Sequence, residues 1–480
     1  MATSQLLKIV NEVVTVTQAP QPSQLQQSGA LVSVGGSTLS TGDYQFCNSL
    51  TAVQNIQSSS GNYEELGDMA STFFAQGNAV GVYVLELGPQ STPQDGIAAL
   101  QQWITDNPGI FYAYCVPADW DTLPAPAEPT VTATADTSST LPSGTYYTQI
   151  AYLNSDGTIG QLSPMVSISV SSSNADSLVV TSPSSLTGAT AYLVYMGTSS
   201  SDLYLQNGSS GTAIGTNYTQ AAPISTTTGT STTLADLAND YSGNTSKTYF
   251  CVNTSVTNCA AYGTMSSSNV WSGYKSVIAV APSPNVQSGE FTAAAWLYQL
   301  VVNNPGANNR LAPFQYRYLV GVTPWPATGY SANLQTLANY GANWVGSGAE
   351  GGISSYCIFK GTTSSLEQIS WWYGVDWLQI QENRAIAAAV LNGSNSNPPL
   401  LYNQNGINTL EAVAQQVADN AVTFGCVESA TVSAIPFATY NQQNPDDYNS
   451  GIYNGLSCQA VGQNGFLNLN FYINVSQLAA

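Results

Sequence analysis

The most regular alternation of apolar and polar residues in this chain lies at residues 467–475. Its apolar positions fall on one side of an extended chain: Leu467, Leu469, Phe471, Ile473 and Val475. The residues between them are asparagines and one tyrosine, which fall on the other side. Because the side chains of a β-strand alternate between its two faces, this pattern predicts a strand with one apolar face.

A second run of strand-forming residues lies near the start of the chain, at residues 9–18, and two prolines follow it. Its candidate pairing positions are all valines: Val10, Val13, Val14 and Val16. A short strand at a terminus is not stable alone, so we expect both terminal strands to be arms that pair with the body or with a neighbouring molecule. Residues 1–25 are therefore interpreted as an extended arm.

Residues 26–122 show the pattern of an α/β domain. Apolar residues recur at helical spacing in residues 63–76 and again in residues 93–106. Mostly apolar runs at residues 79–87 and 110–116 lie on either side of the second helix, as expected of strands that are buried on both faces. The order strand–helix–strand predicts a right-handed crossover.

The pattern changes at the linker PAPAEP, residues 124–129. From there to about residue 220, short β-branched and aromatic runs alternate with turn residues, without helical spacing. About a hundred residues of this kind predict an immunoglobulin-like or fibronectin-like β-sandwich. We assign this sandwich to residues 123–225 and expect it to be an insertion in the α/β domain.

Residues 226–378 return to a mixed pattern, in which strands are predicted at residues 275–283 and 316–326 and a helix at residues 291–304. We expect them to form one discontinuous α/β domain together with residues 26–122. The predicted fold class is therefore mixed α/β (α+β overall), with an inserted sandwich.

Residues 379–480 are assigned to a C-terminal α/β domain that carries the terminal strand. The aromatic run WWYGVDW, residues 371–377, is interpreted as a strand or turn that leads into a helix. A second helix follows, and its apolar positions share one face: Ile407, Leu410, Val413, Val417 and Ala421.

The charge composition excludes several classes of partner. The chain has 480 residues, no histidine, 7 Lys and Arg residues and 27 Asp and Glu residues, for a net charge of −20. Such a charge disfavours nucleic acid and anionic membranes as partners. Only 7% of the residues are charged, and neutral polar surfaces cost less to desolvate than charged ones. We therefore expect much of the surface to contact other protein.

The sequence predicts no catalytic residue, cofactor or metal site. Without histidine a Ser-His or Cys-His pair cannot form, and the chain contains neither a phosphate loop nor a GxGxxG motif followed by a helix. The seven cysteines include no CxxC pair, so a zinc site is not predicted. Cys251 and Cys259 flank a short loop and are candidates for a disulfide across a hairpin, although a reducing cytoplasm favours free thiols.

Two groups of carboxylates need separate interpretation. Asp376 and Glu382 lie next to three tryptophans and a tyrosine, and a glycosidase needs only two carboxylates and a surface on which a sugar can stack. The favoured interpretation is a buried aromatic junction between domains. Glu64, Glu65 and Asp68 are interpreted as the solvated face of a helix rather than as a cation site.

The first residues lack the basic, apolar and cleavage regions of a signal peptide. No apolar run approaches the roughly 20 residues of a membrane span. We therefore expect a chain that is made and kept in a cytoplasm, or that leaves it by lysis.

The order of these segments resembles the tail sheath proteins of contractile-tailed bacteriophages. One similarity is the early helix and core strand, NYEELGDMASTFFAQGNAVGVYVLELG, at residues 62–88. Another is residues 374–410, where an Asn/Pro-rich loop and the turn of Tyr402, Gly406 and Ile407 lead into the next helix. The C-terminal alternating strand is a third similarity.

This resemblance implies a structural, non-enzymatic role. It implies homo-hexameric rings that stack helically around the tail tube protein, between baseplate and tail terminator proteins. The two terminal arms would add strands to sheets of neighbouring subunits and would hold while the rigid cores rotate outward on contraction, which drives the tube through the host envelope. The location implied is the virion tail, after assembly in the host cytoplasm.

Two other functions remain as alternatives. One is a carbohydrate-binding phage fibre or adhesin that uses the sandwich and the aromatic residues. The other is a carboxylate-dependent glycosidase that uses Asp376 and Glu382. For a sheath, seven basic residues are too few for cohesion through ion pairs, so the polymer should rely on strand pairing and neutral contacts.

Overall fold

The computed structural model describes residues 25–155, 157–171, 176–265, 270–307, 310–347 and 356–467. Most of the predicted arm positions lie outside these residues: Val10, Val13, Val14, Val16, Leu469, Phe471, Ile473 and Val475. Leu467 is described, and it lies in a bend rather than in a strand.

The strands of the described residues, in chain order, are β1 (Gly29–Ser33), β2 (Tyr44–Cys47), β3 (Val82–Glu86), β4 (Ala113–Cys115), β5 (Val131–Ala135), β6 (Gly144–Asn154), β7 (Val166–Val170), β8 (Asp176–Val180), β9 (Ala189–Ser199), β10 (Asp202–Leu205), β11 (Thr212–Ala213), β12 (Tyr218–Gln220), β13 (Tyr249–Asn253), β14 (Gly263–Met265), β15 (Trp271–Gly273), β16 (Val277–Val280), β17 (Trp344–Ser347), β18 (Tyr356–Phe359), β19 (Val427–Ala434) and β20 (Leu456–Gly462).

The α-helices of the same residues are α1 (Leu50–Gln54), α2 (Tyr63–Ala75), α3 (Pro93–Asp106), α4 (Leu234–Asp240), α5 (Thr292–Val301), α6 (Ser331–Asn339), α7 (Ile369–Ser394), α8 (Gln404–Thr423), α9 (Phe437–Gln443) and α10 (Pro445–Ser450).

A six-stranded sheet forms the centre of the molecule, with the order β16–β13–β4–β1–β3–β2. All neighbouring strands in it are parallel except β2, which runs antiparallel to β3. β4 precedes the sandwich segment and β13 follows it, and Cys115 lies opposite Cys251 where they pair. The sheet therefore joins parts of the chain from both sides of that segment.

Helices cover both faces of this sheet, which explains why its strands are apolar runs. On one face, Leu31 and Val84 pack in one cluster with Phe73 of α2 and Trp296 of α5. On the other face, the residues next to them along the strands pack with α3 and α4. The start of α3 follows its sequence signal, because Thr92 accepts a hydrogen bond from the Asp95 amide and Pro93 occupies the first turn.

Residues 131–220 form two antiparallel sheets that share one core. The larger sheet has the order β10–β9–β6–β7, with β11 on β9, and the smaller has the order β12–β8–β5. Their common core is apolar and aromatic: Leu141, Tyr146, Ile150, Val170, Leu178, Val180, Tyr192, Val194 and Met196.

Hydrogen bonds attach this two-sheet unit to the central domain. The Gln161 side-chain amide of the unit donates to the Tyr274 hydroxyl of the central domain at 3.3 Å. The Thr158 hydroxyl of the unit donates to the Asp119 carbonyl at 2.6 Å. The unit is therefore attached to the central domain by polar contacts as well as by the two chain segments that connect them.

In the C-terminal region two long helices pack on a two-stranded sheet, and the short helices α9 and α10 lie between its two strands in the chain. α7 and α8 cover one face of the antiparallel pair β19–β20. The proposed domain boundary at residue 379 falls inside α7, which spans 26 residues. Helix α7 therefore runs continuously from the central domain into the C-terminal region.

Two sequence interpretations of local structure were wrong. The run WWYGVDW is helical from the start of α7, where Gly374 allows the helix to contact the Cys426 carbonyl so closely that a Cβ would overlap it. The strand predicted at residues 316–326 is only an isolated bridge between Tyr318 and Cys357. Two prolines at residues 324 and 326 lack the amide hydrogen that a longer ladder requires.

Candidate functional site

Asp376 is the centre of a buried polar network and does not line a cleft. Its side chain is 0% exposed, and its Oδ2 accepts hydrogen bonds from the hydroxyls of Tyr112 at 2.9 Å and Tyr249 at 2.8 Å. Its Oδ1 lies 3.6 Å from Lys275 Nζ. Burial, followed by the charge of Asp376, raises the pKa of both tyrosines well above the usual range, so they remain hydrogen-bond donors.

Lys275 is held on several sides. Its ammonium donates to the carbonyl of Ser246 at 2.6 Å and lies 4.2 Å from the ring centre of Trp372. Burial lowers the pKa of Lys275, whereas the Asp376 carboxylate acts in the opposite direction. Since Lys275 precedes β16 and Asp376 belongs to α7, this ion pair fastens the C-terminal helices to the central sheet.

Glu382 does not join Asp376 in a site. It lies more than one helical turn further along α7 and contacts the Cys458 thiol of β20, whose pKa is raised to about 12 by burial and by this carboxylate. The neighbouring indoles are packed: Trp371 lies on Gly462, and Trp372 Nε1 donates to Glu367. A sugar has no access to the buried Asp376, so the glycosidase alternative loses its catalytic pair.

The acidic face of α2 is less solvated than the sequence predicts. Glu65 accepts hydrogen bonds from the Ala118 amide at 2.8 Å and the Asn62 side chain at 3.3 Å. Burial raises the pKa of Glu65 to about 7. In the described part of the chain no group of three acidic, cysteine or histidine side chains is arranged to hold a metal ion.

Cys251 and Cys259 are free thiols, so the candidate disulfide is not formed. Cys251 of β13 faces the α2 and α5 side of the sheet, and Cys259 packs in the cluster on the α3 and α4 side. The two thiols lie on opposite faces of the sheet, because residues 258–262 after β13 form a 3-10 helix and not the second strand of a hairpin. Burial raises the pKa of Cys259 to about 12.

The surface best suited to function is the sheet β19–β20. Its register pairs Thr431 with Gln459 and Ser433 with Ser457, and the last two hydroxyls lie 3.0 Å apart. One face packs on α7 and α8 through Val432, and the other is polar apart from the exposed Val461.

The two edges of this sheet differ. Side chains of α8 close the edge of β19, because Gln415 accepts a hydrogen bond from the Val432 amide at 2.8 Å and Glu411 accepts one from the Ala434 amide at 3.1 Å. Within the residues that the structure describes, no third strand pairs with the edge of β20. An open edge of this kind is a template for an added strand.

Both ends of the described chain are fastened beside the first turns of α7. At the start, the Gln26 side chain donates to the Tyr373 carbonyl at 2.9 Å. At the end, the Gln368 side chain donates to the Gly465 carbonyl and accepts from the Gly465 amide, both at 2.8 Å. The two predicted arms therefore leave the body near each other, a feature that no sequence pattern signalled.

No helix among the described residues has both the length and the apolar character that a membrane span requires. No family model and no curated protein matches the chain.

The chain is similar to solved structures of contractile assemblies. One is a chain in a cryo-EM structure of the anti-feeding prophage (AFP) baseplate, with a TM-score of 0.52 and 10% identity over 98% of this chain and 100% of that one. A sheath tail protein from Listeria innocua matches with a TM-score of 0.35 and 10% identity over 85% of this chain and 88% of that one.

A sheath tail protein from Desulfitobacterium hafniense matches with a TM-score of 0.38 and 11% identity, over 88% of this chain and 93% of that one. The likeness to the AFP baseplate chain extends over nearly the full length of both chains and establishes a common fold. At 10% identity, what this likeness shows is the fold.

Proposed function

We propose that this chain is the structural subunit of a contractile phage tail sheath. Its subunits form stacked hexameric rings around a tail tube, between baseplate and terminator proteins, and contract to drive the tube through the host envelope. The observation that carries this proposal is the sheet β19–β20, whose β20 edge has no paired strand among the described residues and which lies beside the points where both ends of the described chain leave the body.

Strand addition gives such a polymer connections that survive contraction. β19 has 8 residues and β20 has 7. An arm paired along about six of them forms about six backbone hydrogen bonds, each worth roughly 1 kcal/mol net. Burial of arm valines such as Val14 and Val16 contributes further. Contacts between bodies can then be broken and remade while the added strands keep neighbouring subunits connected.

The two-sheet unit at residues 123–225 is assigned as an inserted immunoglobulin-like domain that faces away from the tube. Its chain leaves after β4 and returns before β13, so its loss or elaboration does not interrupt either strand. Its contacts with the central domain include the hydrogen bonds from the Thr158 hydroxyl to the Asp119 carbonyl and from the Gln161 side chain to the Tyr274 hydroxyl. We infer that it decorates the outer surface of the sheath.

Deletion of residues 1–20 tests the proposal. The deletion should abolish tube formation, because one strand of the connection is lost. The subunit should remain folded, since the first described contact, that of Gln26 with Tyr373, is retained. Electron microscopy scores the tubes, and circular dichroism with thermal unfolding scores the fold.

Tubes formed by a truncated, folded subunit would show that the N-terminal arm is dispensable. Glycan binding by the full chain, without tube formation by the wild type at any concentration, would instead favour the fibre or adhesin alternative.

A further inference from the structure

An extended segment beside β18 presents large apolar side chains to solvent. Tyr316, Tyr318 and Val320 are 48%, 69% and 61% exposed, and Tyr356 next to them is 47% exposed. The segment is held against β18 by the bridge of Tyr318 with Cys357 and by the Leu319 amide, which donates to the Tyr356 carbonyl. We call Tyr316, Tyr318, Val320 and Tyr356 the tyrosine stripe. Exposed apolar surfaces of this kind mark interaction sites.

The C-terminal end of the described chain lies next to this stripe. Gln368 holds Gly465 by two hydrogen bonds of 2.8 Å, and Gly465 lies so close to Pro313 that a Cβ would overlap the proline ring. Two residues later, the Tyr316 hydroxyl donates to the Leu467 carbonyl at 3.1 Å. Tyr316 has a φ of 65°, an unusual value for a tyrosine, and its ring packs edge-on against Phe359.

These two contacts give the direction in which the chain continues. As the tail advances from Gly465 to Leu467, its contact advances from Pro313 to Tyr316. Tyr316 lies in a turn and Leu467 in a bend, so these two contacts give a direction and not a strand register. A tail that continued in this direction as extended chain, at about 3.3 Å per residue, would bring residue 469 to Tyr318 and residue 471 to Val320. Both of these tail residues are large and apolar, Leu469 and Phe471.

The chemistry of the two surfaces matches. Residues 463–480 contain no charged side chain, so their desolvation costs little. The backbone of the stripe is already occupied at Val320, where the Gln76 side chain donates to the carbonyl at 2.6 Å and accepts from the amide at 3.0 Å. The stripe therefore offers side chains to the tail and not a new strand ladder, so its hold is weaker than that of an open sheet edge.

We propose that the tyrosine stripe is the docking site of residues 468–472 of the same chain in the unassembled subunit. The stripe holds the C-terminal strand on its own body until the open edge of a neighbouring β19–β20 sheet, which offers backbone hydrogen bonds, takes it up. The docking itself stands on the contacts above, and its role in delaying assembly rests on the proposed sheath function.

Disulfide trapping tests the docking in dilute, unassembled full-length subunits. The variant Tyr318→Cys with Leu469→Cys should form an intrachain disulfide after mild oxidation with diamide, located by mass spectrometry of linked peptides. The variant Tyr318→Cys with Val475→Cys is the matched control and should not, because its thiol lies six residues beyond the predicted register. Equal linkage in both variants, no linkage in the first, or linkage chiefly between chains would overturn the proposal.

Hydrogen exchange of the free subunit provides a second measurement. In the wild type, the amides of residues 468–472 should exchange more slowly than those of residues 476–480. Tyr318→Ser combined with Val320→Ser should accelerate them about tenfold, which corresponds to the loss of two partly buried apolar contacts. Val286→Ser is the control, since Val286 is 41% exposed and distant in sequence from the stripe and the tail. Unchanged exchange in the double variant would contradict docking.

Assembly separates this inference from the sheath proposal. The double variant should form tubes at a lower protein concentration, because its C-terminal strand is released, whereas truncation after Leu467 should prevent tubes. If the truncated chain formed tubes, the strand-addition role of the C-terminus would be wrong, but the exchange and trapping results would still decide the docking. A double variant that required a higher concentration would show that the stripe is a contact between subunits.

Discussion

The central sheet and the sheet β19–β20 differ in how far their edges and faces are covered by the rest of the chain. The central sheet has six strands and helices on both faces, and one of its edges continues past β16 through the bridge between Val280 and Asn343. Among the described residues the C-terminal sheet has two strands, both longer than the edge strands of the central sheet, and one covered face. The comparison shows a central sheet whose edge is continued within the same chain, beside a small sheet with an unpaired edge strand.

In the central domain, side-chain amides satisfy backbone groups that no neighbouring strand pairs with. Asn343 donates to the carbonyls of Ala279 and Thr362 at 2.9 and 2.8 Å and accepts from the Thr362 amide. Gln76 satisfies Val320, and Gln368 satisfies Gly465, each through both the amide and the carbonyl. A chain with few charges uses amides in this way because one Asn or Gln side chain can both donate and accept.

The largest expected effect comes from breaking the joint between the two regions. Lys275→Met leaves the buried Asp376 carboxylate without its ion-pair partner and should lower the free energy of unfolding by about 3–5 kcal/mol. Chemical denaturation of the unassembled subunit measures it.

Two further variants interpret that result. Lys275→Met combined with Asp376→Leu should recover a large part of the loss, because no charge is then left buried. Arg384→Met, at an exposed position of α7, should change stability by less than about 0.5 kcal/mol. If Lys275→Met behaved like Arg384→Met, the joint would not depend on the ion pair.

A second prediction concerns the pH dependence of the closed body. Burial raises the pKa of Asp121 from 3.8 to about 7, so the folded chain binds a proton more tightly than the unfolded chain between these values. Stability attributable to this group is therefore full below about pH 4 and falls as the pH rises to 7. Asp121→Asn should remove up to 1.36 kcal/mol per pH unit of that fall.

Thermal unfolding between pH 4.5 and 8 measures the slope for wild type and variant. Glu65, whose pKa is raised from 4.5 to about 7, adds a second group of the same sign, so Glu65→Gln should flatten the curve further. Glu64→Gln, at an exposed neighbouring position, is the control. Parallel curves for Asp121→Asn and wild type would show that the carboxylate titrates at the same pH in both states.

A smaller effect should follow from shifting the C-terminal sheet relative to the body. A Cβ at Gly374 would overlap the Cys426 carbonyl, just before β19, so Gly374→Ala should cost about 1–3 kcal/mol through overpacking. It should also impair tube formation more than its loss of stability explains, since the open edge of β20 moves away from the points where the arms leave. Gly243→Ala is the control, because a Cβ there meets nothing within 4 Å.

The central domain was largely predictable from sequence, whereas the Lys275–Asp376 contact that joins it to the C-terminal helices was not. The apolar pattern located α2, β3 and α3, because the residues that each element buries are visible in its own sequence. The Thr92–Pro93 signal marked the start of α3. No comparable signal marks β5, whose residues are mostly small and exposed. The partners of Asp376 lie 264 and 127 residues away in the chain, so no local pattern shows that its charge is satisfied.

The smallest expected effect is that of salt on assembled tubes. Raising the salt concentration from about 0.1 M to 1 M shortens the Debye length from about 10 Å to about 3 Å. Lys247, Lys275 and Arg317 are committed to contacts within the subunit, which leaves few basic groups for contacts between subunits.

Salt does not screen backbone pairing at the edge of the sheet β19–β20. It does screen the repulsion between subunits that each carry a net charge of −20. The fraction of protein that sediments as tubes should therefore stay constant or rise slightly with salt. Arg310→Gln and Arg384→Gln, which remove exposed positive charges, should leave that result unchanged. Tubes that dissolved at 1 M salt would place the cohesion in ion pairs and not in the open sheet.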